Sequence, residues 1–84
     1  MTFTATLIRF PGKGGWTFAP IPEDLAPPVT AGWGRTPVVA TVDGRSWETS
    51  VWRDDKNGSF LPVPARIRRG KEAGDVVEVV LRAR

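Results

Sequence analysis

Residues 37–53 read Pro-Val-Val-Ala-Thr-Val-Asp-Gly-Arg-Ser-Trp-Glu-Thr-Ser-Val-Trp-Arg, and they contain the clearest indication of the fold. Two runs rich in β-branched and aromatic residues flank the Asp-Gly dipeptide at 43–44, which is the strongest short-range signal for a two-residue hairpin. A type I′ turn there places Ala40 opposite Trp47 and turns Trp52 to the other face. The residues predicted to share the first face are Val38, Ala40, Val42, Trp47 and Val51.

Outward from this hairpin, strand-like runs alternate with turns rich in Gly and Pro, which is typical of all-β barrels and sandwiches. The six predicted strands span residues 3–10, 16–19, 37–42, 45–53, 59–63 and 76–83. Short helical turns are predicted over residues 22–26 and 65–69, and a surface loop over residues 30–36. Pro62 and Pro64 predict an edge position for part of the fifth strand. The expected fold class is therefore all-β, a small six-stranded, partly open β-barrel with two short helical turns, as a single domain over residues 1–84.

The composition excludes several classes of protein. With 84 residues, 40% of them hydrophobic, the chain suits one globular domain. The sequence contains neither Cys nor His, so disulfides and ordinary zinc sites are excluded, and we expect no metal and no cofactor. The apolar runs are far shorter than the roughly 20 residues of a spanning helix, so we expect a cytoplasmic protein without a membrane partner. The small size and the predicted edge favour a homodimer.

Several short motifs, in their order and spacing, resemble a bacterial family of small β-barrels, family nineteen-oh-five of the domains of unknown function. The motifs that carry the resemblance are Phe3-Thr4-Ala5, Gly15-Trp16-Thr17-Phe18, Pro22-Glu23, the run from Gly34 to Gly44, Leu61-Pro62-Val63-Pro64, Arg66, Gly70 and the run from Gly74 to Val79. The resemblance implies a partly open six-stranded barrel, which in longer chains is sometimes fused to a bacteriocin-protection domain. It implies no catalytic residue and no ligand, so no site is carried over. The turn over residues 54–58 is more acidic than is usual in the family.

The last third of the chain has a second resemblance. Residues 61–70, followed by residues 74–79, are similar to the swapped-hairpin transition-state regulators, which are small dimeric DNA-binding proteins. Those domains are shorter and leave residues 1–58 without a counterpart. We therefore interpret the likeness as a shared arrangement of turn, helix and strand, with DNA binding as the implied alternative.

Four tryptophans in 84 residues are more than one core of this size needs. Trp16 and Trp47 fit the barrel core, which leaves Trp33 and Trp52 as candidate contact surfaces for a ligand. The candidate anchors for a negatively charged group are Arg35 and Arg53. The favoured function is a small binding module for a partly apolar small molecule or peptide at the open end of the barrel. The alternative for Trp33 is an aromatic cover over the barrel's own core.

Basic residues suggest a different partner. Twelve Lys and Arg against nine Asp and Glu give a net charge of +3, and Arg66, Arg68, Arg69 and Lys71 form a cluster. A nucleic-acid-binding barrel would combine such a cluster with exposed aromatic rings. The alternative is charge complementation at the end of the second helical turn, together with an ordinary polar surface.

Catalysis would have to proceed without His, Cys or Tyr, so a binding module is favoured over an enzyme. Glu48 is the one catalytic candidate, because the hairpin register places it on the same face as Trp52. Apolar surroundings would raise the pKa of this carboxyl group and make it a general acid in a small barrel. The alternative is a cross-strand pair between Glu48 and an Arg or Lys on a solvent-facing surface.

Overall fold

The computed structural model of the chain describes residues 1–10, 16–30 and 32–84, and at Trp33 it describes the backbone alone. The strands of these ranges are β1 (Thr2–Thr6), β2 (Ile8–Arg9), β3 (Thr17–Pro20), β4 (Arg35–Val42), β5 (Arg45–Asp54), β6 (Gly58–Pro62) and β7 (Val76–Ala83). They form one antiparallel sheet in the order β1-β7-β4-β5-β6-β3-β2. The sheet curls into a nearly closed barrel, so the predicted all-β barrel is confirmed.

The central hairpin has the predicted turn and register. Asp43 and Gly44 both have positive φ, at 47° and 85°, as a type I′ turn requires. Ala40 lies opposite Trp47, as predicted. Strand β4 alternates strictly between buried and half-buried residues, because one of its faces covers the core and the other faces outward.

The predicted strand over residues 3–10 is two strands, so the described residues form seven strands where six were expected. Leu7 separates them: its N–H donates to the carbonyl of Asp75, and its carbonyl accepts from the N–H of Gly74, both at 2.8 Å. Strand β1 pairs with β7, whereas β2 pairs with β3. One short segment therefore pairs with both ends of the sheet, and this closes the barrel.

Strand β6 lies inside the sheet, between β5 and β3. At Pro62, however, it pairs with β3 alone within the described residues, so the part of the strand that carries this proline has one unpaired side, in line with the predicted partial edge. Val63 donates to the carbonyl of Thr17 in β3 at 3.0 Å, so the nitrogen of Pro62, one residue earlier, faces β5. On that side the ladder has already ended at Phe60. Because no donor is needed there, the sheet tolerates Pro62, and an opening follows between β5 and the chain beyond β6.

The barrel interior is filled by aliphatic side chains and by Phe3. The least exposed of the large ones are Leu7, Leu61, Val42, Val63, Val77 and Val79. A separate aromatic cluster covers the outer face of β2, β3 and β6, since Phe18 and Phe60 alternate with core residues along their strands. The ring centroid of Phe18 lies 4.2 Å from that of Phe10 and 5.2 Å from that of Phe60.

The helical elements are two 3-10 turns, Glu23–Leu25 and Gly32–Gly34, and helix α1, Ala65–Arg68. The first turn and α1 lie where the sequence predicted helical turns. Helix α1 ends at Arg69, whose φ of 48° is left-handed, followed by Gly70 with φ of 90°. The loop predicted over residues 30–36 is shorter than expected, because β4 begins at Arg35. No helix within the described ranges is long and apolar enough to cross a membrane.

Candidate functional site

A cleft of about 380 Å³ opens where β5 and the chain beyond β6 diverge. Its main lining residues are Trp16, Trp47, Thr49, Pro62, Pro64 and Arg68, and we call it the Trp cleft. Trp47 and Thr49 come from the inward-facing row of β5. Pro62 and Pro64 come from the opposite wall, so residues just beyond the end of the β5–β6 ladder line the cleft.

Two tryptophans contribute to this cleft, and neither is a fully buried core residue. Trp16 is 56% exposed, so its assignment to the core is wrong. It lies two residues before Phe18 and therefore on the outward face of the chain, at the end of the β2–β3 hairpin. Trp47 is half-buried: it packs against the core cluster while part of it lines the cleft. The core assignment holds only in part for this residue.

Arg68 supplies a cationic group to the cleft, but its charge is already balanced. Its Nε donates to the carbonyl of Val63 at 3.2 Å, and its Nη1 lies 3.2 Å from Oε2 of Glu72. The side chain is only 15% exposed, so these contacts hold it in place. The wall of the cleft is thus aromatic, aliphatic and electrically balanced, which suits an apolar group better than an anion.

A second cleft, of about 630 Å³, lies at the start of β4. It is formed where residues 24–30 cross the ends of β4 and β7, and its apolar lining includes Leu25, Pro28 and Leu81. The hydroxyl of Thr36 donates to the carbonyl of Pro28 at 2.7 Å and ties this crossing segment to β4. We call this opening the Pro cleft.

The predicted ligand residues lie apart from both clefts. Trp52 is half-buried and faces Arg35 directly across β4 and β5. Arg53 forms an ion pair with Glu23, with Nη1 and Oε2 3.1 Å apart. The side chain of Trp33 lies outside the described part of the chain. Neither cleft is lined by Trp52, Arg35 or Arg53, and ligand binding by these residues stays a prediction.

One polar atom near these residues is unusual. The Nε of Arg35 is buried and has no hydrogen-bond partner among the described residues. Arg35 opens β4 and pairs with Trp52 on the outward face. A buried N–H without a partner is uncommon in proteins.

Glu48 lies on the surface and not in an apolar cavity, so the enclosed environment considered for it is wrong. Its side chain is 72% exposed, and its Oε1 lies 3.3 Å from Nη1 of Arg84. Glu48 thus pairs with a basic residue on a solvent-facing surface, as in the alternative interpretation, but Arg84 follows β7, which is not a neighbour of β5 in the sheet. The outward faces of β4 and β5 are simply not covered by another layer at this point.

The predicted basic cluster is divided by its contacts. Arg68 pairs with Glu72, and Nζ of Lys71 lies 2.7 Å from Oδ2 of Asp43. Arg66 and Arg69 are exposed on and just after α1. Two of the four cations therefore hold parts of the fold together, and nucleic-acid binding by the cluster stays a prediction.

Sequence reasoning missed the Trp cleft, although two signals pointed to it. Trp16 lies two residues before Phe18, so alternation along the strand places both side chains on the outward face. Thr17 and Ala19 occupy the inward positions of β3. Pro62 and Pro64 remove two successive donors from the side of the chain that faces β5. Together these features marked an aromatic side chain outside the core and a ladder that must end early.

Comparison with known proteins identifies the family and not the activity. No curated protein matches the chain. The family model described as Domain of unknown function (DUF1905) matches residues 3–81, which includes every strand described above almost in full. The chain, whose barrel is closed by its N-terminal segment and open beside β5, therefore belongs to the DUF1905 family.

Proposed function

We propose that the chain is a small binding module that takes a partly apolar molecule, or an apolar side chain of a peptide, in the Trp cleft. The observation that carries the proposal is the 56% exposure of Trp16 beside Trp47 in one concave site. A tryptophan ring offers a large apolar surface with few rotatable bonds, so covering it with a ligand is favourable.

The size and charge of the site support the same proposal. A volume of 380 Å³ lies within the range of about 300–1,000 Å³ that is usual for small-molecule sites. Arg68 is balanced by Glu72, so an uncharged ligand would meet no unpaired cation from this residue. Thr49 adds a hydroxyl group that can accept or donate one hydrogen bond to such a ligand.

Titration with indole, followed by NMR, tests this proposal. We expect the side-chain signals of Trp16 and Trp47 to shift together and Trp16→Ala to weaken binding at least tenfold. Trp52→Phe is the matched control, because it removes the same ring system from a residue outside both clefts. Shifts centred on Trp52 and Arg35 would move the site to the outer face, and the absence of shifts at all tryptophans would end the proposal.

Exposed Arg66 and Arg69 favour a second candidate function, nucleic-acid binding. A single-stranded oligonucleotide would then bind with an affinity that falls steeply between about 50 and 200 mM salt. Exchange of both arginines for glutamine should abolish this binding. Indole binding in the Trp cleft should respond neither to salt nor to this double exchange, so the two candidates are separable.

A further inference from the structure

Over most of its length, strand β5 has a partner along one side only within the described residues. It pairs with β4 from Arg45 to Trp52, but with β6 only from Trp52 to Asp54. Within residues 1–10, 16–30 and 32–84, no strand pairs with the other side of residues 45–51. This stretch borders the Trp cleft, which Trp47 and Thr49 line. We call it the open β5 edge.

The hairpin geometry shows which backbone groups face this open side. In a two-residue hairpin the residues next to the turn, Val42 and Arg45, exchange both hydrogen bonds. Because the backbone groups of successive residues in a strand point to opposite sides, the N–H and C=O groups of Trp47 and Thr49 also point toward β4. The corresponding groups of the alternate residues point to the open side. These alternate residues are Ser46, Glu48 and Ser50.

We infer that an extended peptide binds to the open β5 edge as an additional strand. Main-chain hydrogen bonds to the three alternate residues would hold it, as in other complexes in which a peptide extends a sheet. Its inward side chains would enter the Trp cleft beside Trp47, so the inference rests on the proposed function of that cleft. The prolines at 62 and 64 keep β6 from occupying the place that the peptide would take.

The side chains along the edge indicate the chemistry of the peptide. Glu48 projects outward at the centre of the edge with 72% of its side chain exposed, and Arg84 contacts its Oε1 from the β4 side. Arg84 contacts only one of the two carboxylate oxygens, and a carboxylate accepts several hydrogen bonds, so the second oxygen can still pair with a basic residue placed directly opposite Glu48. The two neighbours of that basic residue point into the cleft. The expected motif is therefore apolar, basic, apolar.

The same charge argues against a second copy of this chain as the occupant. Antiparallel pairing of two open β5 edges about their midpoint would place one Glu48 directly opposite the other. Like charges at directly opposed positions destabilise a pair of strands. A peptide with a basic residue at this position is favoured over self-association.

Amide hydrogen exchange tests the edge before any peptide is added. In the free protein we expect the amides of Ser46, Glu48 and Ser50 to exchange fast, and those of Trp47 and Thr49 to exchange slowly. This alternation along one strand is the signature of an edge with one partner. Slow exchange at all five amides, together with dimers in sedimentation, would replace the peptide by a second copy and overturn the inference.

The binding probe is the peptide SLKLS, blocked at both ends. Its addition should slow exchange at the three fast amides and shift the Trp47 side-chain signals. Methylation of the backbone amide nitrogen of the lysine removes one main-chain donor and should weaken binding about tenfold. The peptide SLELS should bind about threefold to fivefold more weakly than SLKLS, and Glu48→Lys should reverse this order.

Two variants at one position separate strand addition from binding in the cleft. Ser50→Pro removes an N–H that faces the open side and should abolish SLKLS binding, whereas the matched control Ser50→Ala should leave it unchanged. Both should still bind indole. If indole binds and SLKLS does not, or if both peptides bind equally to the wild type and to Glu48→Lys, the inference is wrong while the proposed function stands. If neither probe binds, both are wrong.

Discussion

Nζ of Lys71 lies 2.7 Å from Oδ2 of Asp43, and this ion pair joins the tip of the β4–β5 hairpin to the segment that precedes β7. The second carboxylate oxygen of Asp43 accepts the N–H of Glu78 at 2.8 Å. Nζ of Lys71 also donates to the carbonyl of Val76 at 2.9 Å. The turn residue that identifies the hairpin in the sequence therefore also fixes that hairpin against its neighbour in the sheet.

The stability of the barrel should fall in acid partly because of Asp43. The hydrogen bond from Lys71 and that from the amide of Glu78 lower the pKa of its carboxyl group below 3.8. A carboxyl group with a lowered pKa in the folded state stabilises the fold above its unfolded pKa, and this contribution is lost as the pH falls through the folded pKa. Urea unfolding at pH 7 and pH 3 measures the loss.

Asp43→Asn should reduce the difference in unfolding free energy between these two pH values. Asparagine tolerates the positive φ of this position, so the change removes mainly the charge, at a cost of about 1 kcal/mol or less at pH 7. Asp54 also has a lowered pKa, because it accepts hydrogen bonds from Asn57 and Lys56. The variant Asp54→Asn should therefore reduce the pH dependence of unfolding in the same direction. An unchanged pH dependence in both variants would contradict the prediction.

Gly34→Ala should destabilise the protein by about 2 kcal/mol or more. Gly34 has φ of 65°, and a Cβ there would lie 2.5 Å from the carbonyl oxygen of Arg53. Both the backbone conformation and the close contact oppose a side chain. Gly32→Ala is the matched control within the same 3-10 turn, since a Cβ at Gly32 meets no atom within 4 Å. Thermal unfolding of the two variants should therefore differ by several degrees.

Leu7→Ala should cost about 3 kcal/mol, because Leu7 is 1% exposed and its truncation leaves a cavity at the corner between β1 and β2. Ile8→Ala, one residue later, should cost less than about 1 kcal/mol, since Ile8 is 46% exposed. Equal losses of unfolding free energy for the two variants in urea would contradict the prediction that the buried Leu7 side chain stabilises the corner between β1 and β2.

The outer aromatic cluster should contribute a measurable pairwise energy. The ring centroids of Phe18 and Phe60 lie 5.2 Å apart, and the edge of one ring faces the other at an interplanar angle of 60°. A double-mutant cycle with Phe18→Leu and Phe60→Leu should give a coupling of about 0.5–1.5 kcal/mol. The same cycle between Phe60 and Val77, which lies in the core on another strand, should give a coupling near zero. A coupling near zero in the first cycle would contradict the expected contact.

Local chemistry made the central hairpin predictable. Asp43-Gly44 specifies its own turn, and the register of the flanking strands follows from that turn without knowledge of the rest of the chain. Buried Phe3 and Ala5 follow from simple alternation in the same way. These predictions needed only neighbours within a few residues.

The errors concern partners that are distant in sequence. Leu7 interrupts a strand-like run because its backbone bonds to residues 74 and 75, and nothing near Leu7 announces this. The core position predicted for Trp16 is wrong, because the exposure of this ring depends on where β5 and β6 separate. The Trp cleft is a gap between distant segments. The spacing of Trp16 and Phe18 and the two prolines indicate an outward ring and an early end of the ladder, but they do not show that these features lie side by side.

The corner at Leu7 also has a consequence for the order of folding events. The β4–β5 hairpin can form as soon as residues 35–54 exist, but β1 meets β7 only when Thr2 reaches Val80. Closing so long a loop costs chain entropy before any contact repays it, so this pairing should form late. Kinetic φ-values should therefore be high around Val42 and near zero at Phe3. The pairing between β1 and β7 should then be the first part of the barrel to open as the protein is heated.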